Sequence, residues 1–290
     1  LTYWFPQREL AQAVALFMTA LAFSSVIGSP ISGIILDHVH WAGLESWRWL
    51  FILEGFPAVI FGIITFFILP NKPSEAKFLT QEERDWLTNE IAQEQAEKAK
   101  QKKMTAAEAI KNGRVWLLAF IYFFGLIMGL YSISFWLPQI IKGLSKTYSS
   151  QTVGFLAIIP FLFAAIMMIV NGSSADKKAE WRYHTQIPLI ISAIAIFAML
   201  FIKTPFTSIV VLSIVTAGAY AAFGPFWALP NKFLSGAAAA AGIAVINSIG
   251  NLGGFFAPYI IGFIKSHTGN VYYGLAAVGV SLLISALLLA

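Results

Sequence analysis

The chain has 290 residues, of which 58% are hydrophobic and only 11% charged, with a net charge of +5 and no cysteine. Soluble domains carry about 25% charged residues, so a water-soluble globule is excluded and an integral membrane protein is expected. Without cysteine there is no disulfide, thiolate nucleophile or thiolate metal site; the bases lie in short connections or beside acids, which argues for a topological role and against a nucleic-acid partner.

In chain order, eight apolar runs reach or approach the roughly 20 residues that a helical membrane crossing needs: 12–36, 49–70, 115–138, 152–170, 186–202, 206–229, 236–264 and 271–290. Transmembrane strands would need only about ten residues of alternating polarity, so the expected fold class is an all-α integral membrane protein in a lipid bilayer. The fifth run is short; the seventh is long, and Pro258 is expected to end or bend its helix. Position 1 is a leucine and position 290 lies inside an apolar run, so the sequence reads as a fragment of a longer protein.

Between the second and third runs lies a polar connector, residues 71–114, with eight acids and nine bases, about half of all the charges in the chain. A central Arg, Lys or Asp costs roughly 2.5–3.5 kcal/mol in hydrocarbon, so this stretch belongs in water. Thr80 with Glu83 predicts a capping box opening a helix, with Trp86, Leu87 and Ile91 on the face that rests on the spans and a Glu94–Lys98 pair elsewhere. Thr105 with Glu108 predicts a second box, whose helix Asn112 and Gly113 would end. Alternating the spans places 14 Lys and Arg on the connector's side, including Arg8, Lys177, Lys178, Arg182 and Lys232. Five lie opposite: Arg48, Lys142, Lys146, Lys203 and Lys265. The connector is therefore expected in the cytoplasm of a bacterial inner-membrane protein.

Two runs before the connector and six after it suggest the seam of a six-plus-six transporter. Residues 1–70 then hold the last two helices of the N-terminal half, 71–114 the cytoplasmic linker and 115–290 the C-terminal half. The stretch Gly172-Ser-Ser-Ala-Asp176-Lys177, followed by Arg182, resembles the loop of the major facilitator superfamily between the second and third helices of each half. There Gly172 would allow a tight turn, and Asp176 would cap the next element or pair with Arg182. Three further stretches are 1–9 (Leu-Thr-Tyr-Trp-Phe-Pro-Gln-Arg-Glu), 28–33 (Gly-Ser-Pro-Ile-Ser-Gly) and 47–55 (Trp-Arg-Trp-Leu-Phe-Ile-Leu-Glu-Gly). With 224–230 (Gly-Pro-Phe-Trp-Ala-Leu-Pro), 235–236 (Ser-Gly) and 247–254 (Asn-Ser-Ile-Gly-Asn-Leu-Gly-Gly), they resemble the anion:cation symporter family. That branch of the superfamily holds carriers for tartrate, hydroxyphenylacetate, phthalate, sugar acids and nicotinate. The resemblance runs from the close of the fourth helix into the twelfth, and implies a truncated major facilitator fold of about eight of twelve helices. It also implies proton-coupled symport of a small organic anion by alternating access, without a cofactor and as a monomer. The family's gripping arginines and proton-linked acids lie largely in its first four helices, which this chain lacks.

Polar groups inside spans are costly unless paired or wetted, so they head the list of site candidates. Asn247 and Asn251 share one helix face, with Gly250 and Gly254 on the adjoining stripe, and a carboxamide suits a carboxylate guest because it donates without a counter-charge. Their alternative is interhelical bonding. Trp227, between Pro225 and Pro230, offers an aromatic wall, while Tyr131 and Ser134 offer hydroxyls. Glu54 is the carboxylate well inside a span, where a buried acid would carry a proton. His38, His40, His184 and His267 sit at span edges and make no metal cluster. The absence of a G-x-x-x-x-G-K-S/T loop argues against ATP hydrolysis by this chain; a permease subunit driven by a separate ATPase is the alternative reading. No H-E-x-x-H or G-x-S-x-G occurs, and no enzyme is expected.

Overall fold

A computed structural model describes residues 4–100, 104–202 and 204–290. Residues 1–3, Lys102, Lys103 and Lys203 lie outside the described residues, as do the side chains of Arg8, Glu9 and Lys98, and with them the Glu94–Lys98 pair. The elements are α1 (Gln7–His38), α2 (Ser46–Ile68), α3 (Gln81–Lys100), α4 (Ala106–Lys111), α5 (Gly113–Ile121), α6 (Met128–Leu144), α7 (Ser150–Lys178), α8 (Arg182–Ala198), α9 (Pro205–Ala221), α10 (Phe223–Asn231), α11 (Gly236–Asn251), α12 (Gly253–Thr268) and α13 (Val271–Leu288). Two 3₁₀ turns, Trp41–Gly43 and Pro73–Glu75, interrupt them, and a π-helical stretch, Tyr122–Ile127, joins α5 to α6. Helices are what apolar runs must form in hydrocarbon, where each backbone N–H and C=O needs a partner within its own segment.

Among the described residues, seven helices or end-to-end helix runs are long and apolar enough to cross a membrane. The fifth expected run, α8, has 17 residues; at 1.5 Å per residue it spans about 25 Å, against a hydrocarbon core of roughly 30 Å. Its end is drawn out by i→i+3 bonds from Leu200 N–H to Phe197 O (3.2 Å) and Phe201 N–H to Ala198 O (3.0 Å). The seventh run breaks at Leu252 instead of at Pro258, which lies inside α12. Gly250, Gly253 and Gly254 flank the break, and their poor helix propensity places it there.

Both capping boxes form in the connector. Glu83 Oε2 accepts from Thr80 N–H at 2.8 Å while Thr80 Oγ1 accepts from Glu83 N–H at 3.3 Å; Thr105 and Glu108 repeat the exchange at 2.7 and 3.2 Å. Those bonds from Thr80 and Thr105 hold both carboxyls below their ordinary range. Asn112 ends α4, yet its side chain also accepts from Arg114 N–H at 2.9 Å and so starts α5 without a gap. The apolar face of α3 does not lie on the spans as expected: α3 packs on the Pro73–Glu75 turn, and Trp86 is 52% exposed.

The six crossings after the connector form one bundle around Tyr220, Phe223, Phe226, Ile121, Leu126 and Leu137. Helix α1 lies along α7, and α2 touches mainly α1. Ser46 is the buried residue of α2, and its Phe51, Phe56, Phe61 and Phe66 are 64–82% exposed, a surface suited to lipid or to further protein. The bundle thus has a connector end, with Asn71, Arg114, Lys178 and Asn231, and a far end, with His38, Leu144, Ser150 and Thr268.

Candidate functional site

Tyr122 organises the inner face of the bundle. It opens the π-helical stretch, whose looser winding releases carbonyls from the α-pattern. Two serines of α13 take them up: Ser285 Oγ donates to Ile121 O at 3.0 Å and Ser281 Oγ to Phe124 O at 2.5 Å. Gly125 makes room, since a methyl group there would strike Ser285. The Tyr122 ring stacks on Phe226 (centroids 5.1 Å apart), meets Trp227 edge-on at 5.0 Å and lies 6.2 Å from Phe223. On its other side Gly250 presses against the ring, and Gly254 presses against Tyr131 in the same way. The π-stretch, Tyr122 and the serine pair were not singled out from the sequence; Ser281 and Ser285, four apart in an apolar run, were the available signal.

The candidate residues are spread along this face, Ser134 lying twelve residues beyond Tyr122, about 18 Å along the helix axis. Asn247 is half-buried and Asn251 exposed, and Asn251 Nδ2 donates to Asn247 O at 2.8 Å, so one amide proton is spent within the helix. Ser134 Oγ lies 3.3 Å from Tyr220 Oη, a hydroxyl in the middle of the core that ring contacts link to Phe161 and Phe223. Trp227 is packed by Tyr122 and Phe226, and its buried Nε1–H faces the Tyr122 hydroxyl without reaching good hydrogen-bond geometry. Trp136 Nε1 is in the same condition, with the Lys265 ammonium 4.8 Å from its ring. A separate cavity of about 770 Å³ opens at the far end between α1, α6 and α7, lined by Ser25, Ser29, Ser32, Gln139, Lys142 and Lys265 among others. None of the site candidates lines it.

At the connector end the expected loop is built differently. Gly172 is buried inside α7, which continues to Lys178; the turn falls at Ala179, with φ of 51°. Asp176 and Arg182 do not pair with each other. Asp176 Oδ1 accepts from Trp181 Nε1 at 2.9 Å, and the Lys232 ammonium sits 4.3 Å above that indole, tying the α7–α8 turn to the end of α10. Arg182 donates to Leu289 O while Gln186 Nε2 donates to Ala286 O at 2.8 Å, so the start of α8 serves carbonyls at the end of α13. Lys177 is exposed in the last turn of α7, where a cation complements the helix dipole. Glu180, not singled out from the sequence, accepts from Tyr183 N–H at 2.9 Å and lies 2.9 Å from His184 Nδ1. Burial raises its carboxyl, but these bonds outweigh burial and hold it below the ordinary value.

Asn171 has the most exacting position. Its Nδ2 donates to His184 O and to Ala221 O, both at 2.8 Å. Each carbonyl stands four residues before a proline, Pro188 and Pro225, which has no N–H to give it. One amide therefore answers two vacancies and joins α7, α8 and the end of α9.

Glu54 is exposed instead of buried, and Ser32 Oγ of α1 donates to its Oε1. The histidines have separate partners: His38 has Gln151, His40 has Ser46, His184 has Glu180 and Ser174, and His267 has the Phe263 carbonyl. Among the described residues, no three His, Asp or Glu side chains gather as a metal site.

The profile of the Major Facilitator Superfamily matches residues 1–258. An Agrobacterium vitis protein provisionally named as a tartrate transporter is 41% identical over 287 residues, 99% of this chain and 65% of that protein. An Acinetobacter baumannii protein named as a quinolone resistance transporter is 34% identical over 288 residues, again 99% of this chain and 66% of the relative. The chain thus spans just under two thirds of the length of these curated relatives. Among solved structures, the proton:xylose symporter XylE bound to 6-bromo-6-deoxy-D-glucose superposes with a TM-score of 0.72 at 17% identity, covering 99% of this chain and 64% of XylE.

Proposed function

Because the chain belongs to the major facilitator superfamily, we propose that it forms the larger part of a secondary carrier that takes up a small organic carboxylate with protons by alternating access. The branch is the anion:cation symporters, and the tartrate name of the 41% identical relative supports a hydroxy-acid, sugar-acid or aromatic-acid substrate. Residues 1–70 belong to one half and 115–290 to the other, joined by a cytoplasmic connector; the carrier acts as a monomer in the inner membrane.

The observation that carries the site is the buried Nε1–H of Trp227, which faces the Tyr122 hydroxyl and has no acceptor in good hydrogen-bond geometry. Leaving such a donor unpaired costs about 1–3 kcal/mol, a cost that an arriving carboxylate oxygen removes. Asn247, Asn251, Tyr131 and Ser134 supply further neutral donors along the bundle, and neutral donors bind an anion while leaving it free to depart. Glu54, joined to Ser32, is the candidate for the coupled proton.

Proteoliposomes of the full-length carrier should take up labelled tartrate when the outside is acidified. Uptake indifferent to a protonophore would end the symport reading. Trp227→Phe keeps an aromatic ring and removes the donor, and Asn247→Ala removes the amide. Each should raise KM about tenfold to a hundredfold at unchanged expression, since a bond to a charged group is worth roughly 1.5–3 kcal/mol. An unchanged KM would assign the residue to packing.

A further inference from the structure

An α-helix leaves its first four N–H groups without partners of its own. Of the three that follow the N-cap of α7, Ser149 serves one, its Oγ accepting from Thr152 N–H at 3.1 Å, while its carbonyl takes the first regular helical bond, from Val153 N–H at 3.0 Å. The other two are served by a different helix. Asp37, at the far end of α1, accepts from Ser150 N–H through Oδ1 at 3.2 Å and from Gln151 N–H through Oδ2 at 2.6 Å. Beside it His38 Nε2 lies 2.8 Å from Gln151 Oε1. One turn below, the two backbones approach so closely that neither glycine of the crossing tolerates a methyl group: Gly33 faces Ser150 and Gln151, and Gly154 faces Ser29 and Pro30.

We propose that Asp37 is the latch that holds the far end of the α1–α7 seam closed in one state of the transport cycle, and that it releases α7 when the far end opens. This rests on the reading of the chain as an alternating-access carrier with α1 and α7 in opposite halves. A carboxylate at a helix N-terminus makes charge-assisted bonds and meets the positive end of the dipole, so the closed state is favoured. Its release leaves two N–H groups that water can serve, so opening costs a difference and not the whole bond. The 770 Å³ cavity lies directly beneath, with Ser150, Val153 and Gly154 in its wall. Parting this seam therefore exposes a space that already exists. Of the positive charges at this end, Lys142 donates to Tyr148 O, Lys265 Nζ is 3.4 Å from Gln139 Oε1 and the Arg48 guanidinium lies 5.2 Å from the Trp47 ring.

The chain has no cysteine, so a single introduced thiol reports cleanly on access. With the carrier in liposomes, Val153→Cys places a thiol in the cavity wall at the far end, and Leu229→Cys places one on α10 at the connector end. Adding Asp37→Ala should speed maleimide labelling at position 153 roughly tenfold to a hundredfold, as expected for loss of bonds to a charged group, and slow it at position 229. Asp37→Asn keeps one acceptor and should fall between; it also carries the test if the alanine variant does not fold. Rates unchanged at both positions, or raised at both as in a loosened fold, overturn the latch. Reciprocal labelling without acid-driven uptake would sink the symport reading and leave the latch standing, whereas intact uptake with unmoved labelling would do the opposite.

Discussion

Replacing Asn171 with alanine should destabilise the fold by about 2–4 kcal/mol. The side chain donates to His184 O and Ala221 O at 2.8 Å, and neither carbonyl has an intrahelical donor, because the fourth residue onward is Pro188 or Pro225. An orphaned polar group in a low-dielectric interior costs about 1–3 kcal/mol, while interhelical bonds measured in membranes fall nearer 0.6–2 kcal/mol each; doubled for the two carbonyls, these ranges overlap at about 2–4 kcal/mol. The assay is reversible unfolding of the detergent-purified chain in SDS, followed by ellipticity. Its control restores the missing donors: with Pro188→Ala and Pro225→Ala in place each carbonyl regains its own helix N–H, and Asn171→Ala should then cost less than about 0.5 kcal/mol. An equal cost in both backgrounds would refute the reasoning and show that Asn171 acts by packing alone.

Two other outcomes follow from contacts at Tyr122 and at Glu180. Gly250→Ala would drive a methyl group into the Tyr122 ring, and should cost about 1–3 kcal/mol by overpacking, with much of it recovered when Tyr122→Leu is added; absence of rescue would mean that the ring is not what the glycine accommodates. The depressed Glu180 carboxyl contributes stability that is fully present above its ordinary value of 4.5 and is lost as pH falls through the lower folded value. Glu180→Gln should therefore flatten the acid limb below pH 4.5 in an unfolding titration, and an unaltered limb would refute the assignment.

What was legible in the sequence divides along a physical line. The crossings and the two capping boxes depend on residues close in sequence, and 115–138, Thr80 with Glu83 and Thr105 with Glu108 all appear where expected. The pairing of Asp176 with Arg182 was inferred from proximity along the chain, but both face other helices or turns: Trp181 takes one and the end of α13 the other. The π-helical stretch was invisible because an i→i+5 register leaves no mark on a hydrophobic pattern already apolar on every face. The resting face of α3 failed for a related reason, since an amphipathic pattern says that a face is apolar without saying what covers it.

The polar residues of the spans then fall into two groups. Asn171, Ser281 and Ser285 answer backbone carbonyls that a proline or the π-register has vacated, and Gln186 answers one at a helix end. Each repairs a defect, and its identity follows from the donor that is missing. Trp227 repairs no backbone vacancy: its buried N–H faces the Tyr122 hydroxyl without good geometry, beside a ring that Gly250 of the Asn247 helix presses on. In a bilayer, where backbone vacancies are expensive, a polar side chain that leaves none filled is retained for something that comes and goes. By carbonyl bookkeeping Asn171 belongs to the scaffold, and Trp227 remains the proposed contact of the solute.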